Sequence, residues 1–251
     1  MQKDTNEFTV ELVRNSYDQS KANDEKLGEW AAHYLYRPIS FYITPFFLKR
    51  DISATNVTLI ALVLVFLLPV MATWFPLSYM FVGLLATIIC ILDCVDGNIA
   101  RVSNSGSKLG HYLDFITDIV HRIVLYFSIG LLIDLSDMTP DFILGNGVTW
   151  LFIAAMLAIV ARMSRVYADA TFDFQMTNES QVEIETKENS VQDKLFIFIS
   201  GLDWLLPLIL IASGFLGILH WILIWLVLYS LADFLYSQYA IIQKLISRTA
   251  I

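Results

Sequence analysis

The chain has 251 residues, of which 57% are hydrophobic and only 16% are charged, and its formal net charge is −8. A soluble domain of this length would carry more charge and shorter apolar runs, so the composition excludes an ordinary soluble protein. The negative charge and the lack of a basic patch also argue against a nucleic-acid partner.

By composition the chain divides into three parts. Residues 1–26 are polar and mixed in charge, and we expect them to form a tail that frays or packs loosely over the cytosolic face. Residues 27–50 mix aromatic residues with single charges, a pattern typical of an amphipathic helix that lies in the membrane interface. Residues 51–251 contain the long apolar runs and form the membrane domain.

The basic residues and the prolines of residues 27–50 lead to two expectations for the interfacial helix. Arg37, Lys49 and Arg50 are expected to face the lipid headgroups. Pro38 and Pro45 are expected to kink the helix or split it, because proline removes a backbone donor. A buried core helix is the alternative, but such a helix would not need so many polar residues.

Six apolar segments follow, each long enough to cross a bilayer core of about 30 Å. They lie near Val57–Trp74, Tyr79–Ala100, His111–Leu135, Val148–Ala168, Leu195–Leu216 and Ile218–Leu245. A polar loop, residues 171–193, separates the fourth span from the fifth, and a very short turn at Gly217 separates the last two. The expected fold class is all-α integral membrane, with six transmembrane helices preceded by an interfacial amphipathic helix.

The basic residues predict the orientation in the membrane. All 16 Lys and Arg residues lie in the N-terminal region, in the loops after the second and fourth spans, at the C-terminal end, or in adjoining helix segments. The loops on the opposite side contain none. By the positive-inside rule this multi-pass chain has both termini in the cytosol, and the loop between the second and third spans faces the cytosol as well.

Residues 91–118, which join the second and third spans, are rich in acidic side chains. They include four aspartates: Asp93, Asp96, Asp114 and Asp118. Ionisable groups within a membrane are costly and mark functional sites. Four carboxylates in a short stretch also repel one another unless a cation lies among them. The stretch therefore predicts a metal site.

Helical spacing places these carboxylates on two facing surfaces. Asp93 and Asp96 fall on one face of the second span, and Asp114 and Asp118, four residues apart, share a face of the third. The short loop between the spans can bring the two pairs together. Carboxylate oxygens without His or Cys ligands suit hard cations such as Mg²⁺ or Mn²⁺.

Small residues and one arginine lie between the aspartates. Gly97, Ala100 and Gly110 lack bulk, so a ligand or a neighbouring backbone can approach closely at these positions. Arg101 is a fixed cation beside the predicted metal site, placed to contact a phosphate in bidentate fashion.

Together these residues match the pattern D-x2-D-G-x2-A-R-x8-G-x3-D-x3-D. The chain therefore resembles the CDP-alcohol phosphotransferase family, also called the CDP-alcohol phosphatidyltransferase family. Eight specified positions at fixed spacing make the motif specific. The likeness extends more loosely to the whole chain, because the family has an interfacial N-terminal helix and six spans, and residues 51–251 would be its catalytic domain.

The resemblance implies roles for particular residues. The four aspartates would hold two divalent ions, and Asp118 would also be the catalytic base that takes the acceptor's proton. The CDP part would be contacted by Gly97, Ala100, Arg101, Ser107 and Thr58. The active site would lie at the cytosolic face, and the family resemblance makes a homodimer the expected assembly.

The implied activity is that of an EC 2.7.8-type transferase. A hydroxyl acceptor, either a small polar alcohol or a lipid, would attack a CDP-alcohol and release CMP, with Mg²⁺ or Mn²⁺ as cofactor, in phospholipid biosynthesis. The usual donor would be CDP-diacylglycerol. In the alternative, a soluble CDP-alcohol donates its headgroup, and the segment Arg37–Ser40 is similar to members of that second kind.

Two other classes of protein use carboxylates within a membrane. A prenyltransferase also binds a diphosphate through Mg²⁺, but its acidic motifs are usually set far apart on different helices. A divalent-cation transporter binds its ion transiently, but the Gly-x-x-Ala-Arg segment has no purpose in a cation path. Both classes therefore rank behind the phosphotransferase.

Several polar residues outside the motif each have two interpretations. Arg162 and Arg165 are either cations that extend to the headgroups or an acceptor-binding pocket. His111 and His121 are expected to pack near the carboxylates or to hydrogen-bond to them rather than to bind metal. Asp203 and Asp233 either pair with a basic group or line the acceptor cavity.

Overall fold

The computed structural model describes residues 8–75, 77–137, 140, 144–172 and 201–249. The secondary structure of these residues is helical, which confirms the all-α prediction. The N-terminal part contains α1 (Val10–Asn15), α2 (Gln19–Gly28), a π-helical turn (Ala32–Tyr36) and α3 (Arg37–Leu48).

The apolar part of the chain forms the remaining helices. They are α4 (Ala54–Val65), α5 (Leu68–Trp74), α6 (Ser78–Val102), α7 (Lys108–Leu135), α8 (Gly147–Phe172), a 3-10 turn (Leu202–Leu205), α9 (Leu206–Leu216) and α10 (Leu219–Thr249). Among the described residues, five stretches are long and apolar enough to cross a membrane, α4 and α5 together making the first of them. This is an integral membrane protein.

The observed helices agree with the predicted spans where the structure describes them. Four of the predicted spans correspond to α4–α5, α6, α7 and α8, and the sixth corresponds to α10. The fifth, Leu195–Leu216, begins outside the described residues, and its described part is the shorter apolar helix Leu202–Leu216. The predicted polar loop lies outside the described residues from position 173 onwards.

Helix α6 lies in the middle of the bundle, because it packs against α3, α4, α5 and α9. Its buried face is apolar, with Val82, Ala86 and Ile89 at most 2% exposed. A Cβ atom added at Gly83 would lie 2.4 Å from Ile211 of α9, so the missing side chain lets these two helices approach closely. Helix α7 packs on α4, α5 and α8, and α8 packs on α10.

Local contacts stabilise the start of α8, and a glycine forms the turn between α9 and α10. The Asp134 carboxylate at the end of α7 accepts hydrogen bonds from the backbone N–H groups of Gly147 (2.6 Å) and Val148 (3.0 Å), which begin α8. These N–H groups would otherwise lack partners at the helix start. The predicted turn between the last two spans is confirmed: Gly217 ends α9 with φ of +68°, a conformation that glycine adopts without strain.

The N-terminal part differs from the predictions in three ways. The predicted polar tail, whose residues 1–7 lie outside the described residues, is anchored in the structure rather than loosely packed at two positions: Val13 is fully buried in the core and Glu25 is 1% exposed. Arg37 does not face the headgroups, because its side chain is buried and bonded to other residues. Helix α3 is not split at Pro45, which lies inside it, and Pro38 occupies its first turn, where proline is tolerated.

Candidate functional site

The connection between α6 and α7 determines where the carboxylates meet. Asp93 lies nine residues before the end of α6 at Val102, and Asp118 lies ten residues after the start of α7 at Lys108. At 1.5 Å per residue, both positions are about 14–15 Å along their helices from the same connection. Two antiparallel helices joined by a short loop therefore bring these positions to similar depths in the bundle.

Three of the four predicted aspartates form a cluster. Asp93, Asp114 and Asp118 each offer one carboxylate oxygen, and these oxygens lie within 4.8 Å of one another. All three side chains are partly buried. An all-oxygen set of this kind fits Mg²⁺ or Mn²⁺, so the chemistry of the donors agrees with the implied metal.

Asp96 lies beside this cluster but has a different partner. It is 7% exposed, and its Oδ2 atom accepts a hydrogen bond of 2.6 Å from the hydroxyl of Thr58 in α4. The bond ties α4 to the motif on α6. Thr58, predicted to lie near the nucleotide, is therefore in contact with a motif carboxylate.

Arg162 of α8 reaches the carboxylate cluster. Its Nη2 atom lies 2.9 Å from Oδ2 of Asp118, and its guanidinium group lies 5.0 Å from the centre of the Phe115 ring. The side chain therefore contacts the site, in contrast to a cation that extends to the headgroups. Arg165, three residues later, pairs with Asp233 at 2.8 Å and also contacts Ser237.

The two aspartates of the last two predicted spans are each paired with an arginine. Asp203 lies 2.9 Å from Arg122, and Asp233 pairs with Arg165. The first of the two interpretations, pairing with a basic group, is therefore confirmed for both aspartates. Each pair joins different helical elements and matches opposite charges inside the bundle.

The small residues of the motif make room for protein side chains. A Cβ atom added at Gly97 would lie 3.4 Å from Nη1 of Arg101, and one at Gly110 would lie 3.2 Å from Oγ of Ser107. The Ser107 hydroxyl accepts a 2.9 Å bond from the Gly110 N–H and so caps α7. Ala100 is partly exposed one turn after Asp96.

A cavity opens beside the cluster. Its polar wall contains Thr58, Asp93, Asp96 and Asp118. Its other lining residues are Ala61, Ile89, Cys90, Thr117, His121 and Trp204.

The two histidines near the motif occupy different environments. His121 lines the cavity, and its Nε2 atom is buried with no hydrogen-bond partner among the described residues. His111 is exposed and lies outside the carboxylate cluster. Cys90 and Cys94 are buried free thiols.

Sequence reasoning missed a polar network that joins the N-terminal part to the motif. The Arg37 guanidinium forms an ion pair with Glu25, and it donates to Oδ1 of Asn98 at 3.2 Å. Burial opposes the ionisation of Glu25, but the hydrogen bonds and the charge of Arg37 outweigh it and lower the pKa of Glu25. Asn98 itself was a detectable signal, because an amide inside an apolar helix needs partners.

Tyr17 completes this network. Its hydroxyl donates a 2.7 Å hydrogen bond to Glu25, and its ring lies 5.2 Å from the Arg37 guanidinium. Burial and the neighbouring Glu25 carboxylate raise the pKa of the Tyr17 hydroxyl, so the hydroxyl keeps the proton that it donates.

A known protein family matches the part of the chain that contains α4 to α9 and the whole acidic motif. The model of the CDP-alcohol phosphatidyltransferase family matches residues 52–232, which is more than half of the chain and includes the four aspartates. Helices α1, α2 and α3 precede the matched region. No curated protein matches the chain. By this match the chain belongs to the CDP-alcohol phosphatidyltransferase family, whose members transfer a phosphoryl-alcohol group from a CDP-alcohol to an alcohol or lipid acceptor.

Proposed function

We propose that this protein is a Mg²⁺-dependent enzyme that transfers a phosphatidyl-type group from a CDP-alcohol to a hydroxyl acceptor, releases CMP and serves phospholipid biosynthesis. The single observation that carries the proposal is the cluster of Asp93, Asp114 and Asp118 beside buried Asp96, within the family's motif. The family match sets aside the prenyltransferase and the cation transporter.

The reaction exchanges one P–O bond for another. The acceptor's hydroxyl oxygen attacks the phosphorus atom that carries the donor alcohol, and the bond from this phosphorus to CMP breaks. CMP leaves with the electron pair, and the hydroxyl proton passes to Asp118, the proposed base. Two divalent ions held by Asp93, Asp96, Asp114 and Asp118 would neutralise the diphosphate and stabilise the entering and leaving oxygens.

Other residues of the site bind and orient the substrates. Arg101, with Gly97 and Ala100, is assigned to the CDP part, and Ser107 to its phosphates. Arg162 contacts the Asp118 carboxylate through the 2.9 Å ion pair, and we assign it to the acceptor because it touches the proposed base. Arg165, whose charge is matched by Asp233, is assigned with Arg162 to the acceptor side.

The cavity favours a small polar alcohol as the acceptor. Its lining combines three carboxylates with apolar side chains such as Ala61 and Ile89. One observation supports the alternative, in which a soluble CDP-alcohol donates its headgroup. The segment Arg37–Ser40, similar to members of that kind, contacts the motif through Asn98.

The test is a reconstitution with two donors. Purified protein in lipid vesicles with Mg²⁺ receives either CDP-diacylglycerol with a panel of polar alcohols or a soluble CDP-alcohol with lipid and polyol acceptors. Release of CMP with the first donor, abolished by a chelator, is the expected result, and mass spectrometry identifies the product. The absence of CMP release with every donor would contradict the proposal.

The distribution of basic residues supports cytosolic termini and a cytosolic active site. Labelling tests this orientation, because Ser105 lies exposed in the α6–α7 connection and Leu144 is 89% exposed before α8. A membrane-impermeant thiol reagent should reach Ser105→Cys only from the cytosolic side and Leu144→Cys only from the other. Homodimer formation, expected from the family, is measured by cross-linking in the same vesicles.

A further inference from the structure

Asn98 lies inside the motif, between Gly97 and Ala100, and its side chain is fully buried. Its Oδ1 atom accepts hydrogen bonds from Arg37 (3.2 Å) and from Nη2 of Arg101 (2.7 Å). An asparagine side chain has two N–H donors and an oxygen with two lone pairs, so both acceptor positions are filled.

Both N–H donors of the Asn98 amide also have hydrogen-bond acceptors. It donates to Oγ of Ser40 at 2.9 Å and to Oγ1 of Thr44 at 3.1 Å, both on α3. An inverted amide would direct its N–H groups at two guanidinium groups, which have no acceptor. The amide therefore has one favourable orientation, and α3 maintains it.

Arg101 and Arg37 differ in how their charges are balanced. Arg37 is ion-paired with Glu25. Arg101 has no ion pair with a carboxylate among the residues that the structure describes, and its Nε atom is buried without a partner there. The neutral oxygen of Asn98 orients the Arg101 guanidinium but leaves its charge available to an anion.

The support for this arrangement comes from outside the family's matched region. Glu25 and Tyr17 hold Arg37, and the Tyr17 ring also lies 5.9 Å from the Arg101 guanidinium. Arg37 further donates to the backbone carbonyl of Cys94 at 3.0 Å, which ties α3 to α6. The N-terminal helices thus contact the motif region at the Asn98 amide, the Cys94 carbonyl and the Arg101 guanidinium.

We propose that Asn98 is a positioning residue of the donor site: held by Arg37, Ser40 and Thr44, it fixes the Arg101 guanidinium for the donor's diphosphate. The inference rests on the proposed function, which assigns Arg101 to the CDP part. It extends that function by making the N-terminal helices a part of the nucleotide site.

A double-mutant cycle with CDP as the probe tests the inference. The Kd for CDP with Mg²⁺ is measured by calorimetry on the full chain in detergent for wild type, Asn98→Ala, Arg101→Ala and the double variant. Loss of one hydrogen bond to a charged group should raise Kd about tenfold or more in Asn98→Ala. In the Arg101→Ala background the same change should have no further effect, because its target is absent.

The two proposals fail in different ways. Wild-type protein that binds no CDP would contradict the proposed function, and with it the role of Arg101. Wild-type protein that binds CDP, together with additive effects of the two changes, would overturn the positioning role alone. An unchanged Kd in Asn98→Ala would overturn it too.

If Asn98→Ala does not fold, two more conservative variants test the positioning role of Asn98. The hydroxyls of Thr44 and Thr87 each donate to the backbone carbonyl four residues earlier, but only Thr44 also accepts from Asn98. Thr44→Val should weaken CDP binding, and Thr87→Val should leave it unchanged. Equal Kd values in the two variants would contradict the inference.

Discussion

Two groups of carboxylates lie within the helical bundle, and they differ in their charge balance. Asp93, Asp114 and Asp118 cluster within 4.8 Å, and Arg162 is the one guanidinium ion-paired with them among the described residues. Asp203 and Asp233 each face an arginine, at 2.9 and 2.8 Å. Like charges in a low dielectric need added cations, whereas opposite charges compensate each other. The clustered group is therefore suited to binding metal, and the paired group to joining helices.

The largest expected effect tests the clustered group. Asp118→Asn keeps the shape of the side chain but removes the proposed base, so CMP release should fall by a factor of about 10³, within the range for a general base. CDP binding should be retained better than in Asp93→Asn. Full activity of the Asp118→Asn protein would remove the base assignment.

Removing one partner from the paired group should lower the stability of the folded protein. Asp203→Asn leaves Arg122 without its carboxylate inside the bundle, and breaking such a pair costs about 3 kcal/mol of unfolding free energy. Thermal unfolding in detergent measures the loss. The double variant Asp203→Leu/Arg122→Met, which removes both charges, should recover most of it. A double variant as unstable as Asp203→Asn would show that charge compensation is not what the pair provides.

Added Mg²⁺ should stabilise the protein through the clustered carboxylates and not through the paired ones. At a Mg²⁺ concentration of about 100 times Kd, binding stabilises the folded protein by about 2.7 kcal/mol. The unfolding temperature of the wild type should rise accordingly, and that of Asp114→Asn should rise less. Asp233→Asn is the control from the paired group and should keep the full response to Mg²⁺. An equal response in all three proteins would contradict a metal site at the cluster.

The smallest expected effect concerns the guanidinium that touches the cluster. Arg162→Ala should raise KM for the acceptor by about tenfold, the value of one charge-assisted hydrogen bond, with CDP affinity unchanged. Arg162→Lys keeps the charge and should be milder. Steady-state kinetics with the acceptor varied measures the change. Normal acceptor kinetics in Arg162→Ala would exclude an acceptor role.

The two groups also differ in how far sequence could predict them. The spacing of Asp93, Asp114 and Asp118 places them on facing surfaces of adjacent helices joined by a short loop, and the structure brings these three together. The partners of Asp203 and Asp233 could not be predicted, because Arg122 and Arg165 lie far from them in the chain. Asp96 was expected among the metal ligands, and its 2.6 Å bond to Thr58 depends on how α4 packs on α6.

The amino-acid sequence alone determined the approximate bounds of five apolar spans and the helix faces that carry the clustered aspartates. Both follow from hydrophobic length and from periodicity along a single helix. Tertiary structure alone decided that Arg37 is buried against Glu25 and Asn98, and that Arg162 reaches Asp118. These contacts join helices that are distant in the chain, and helical periodicity sets which face a side chain occupies but not which helix packs against that face.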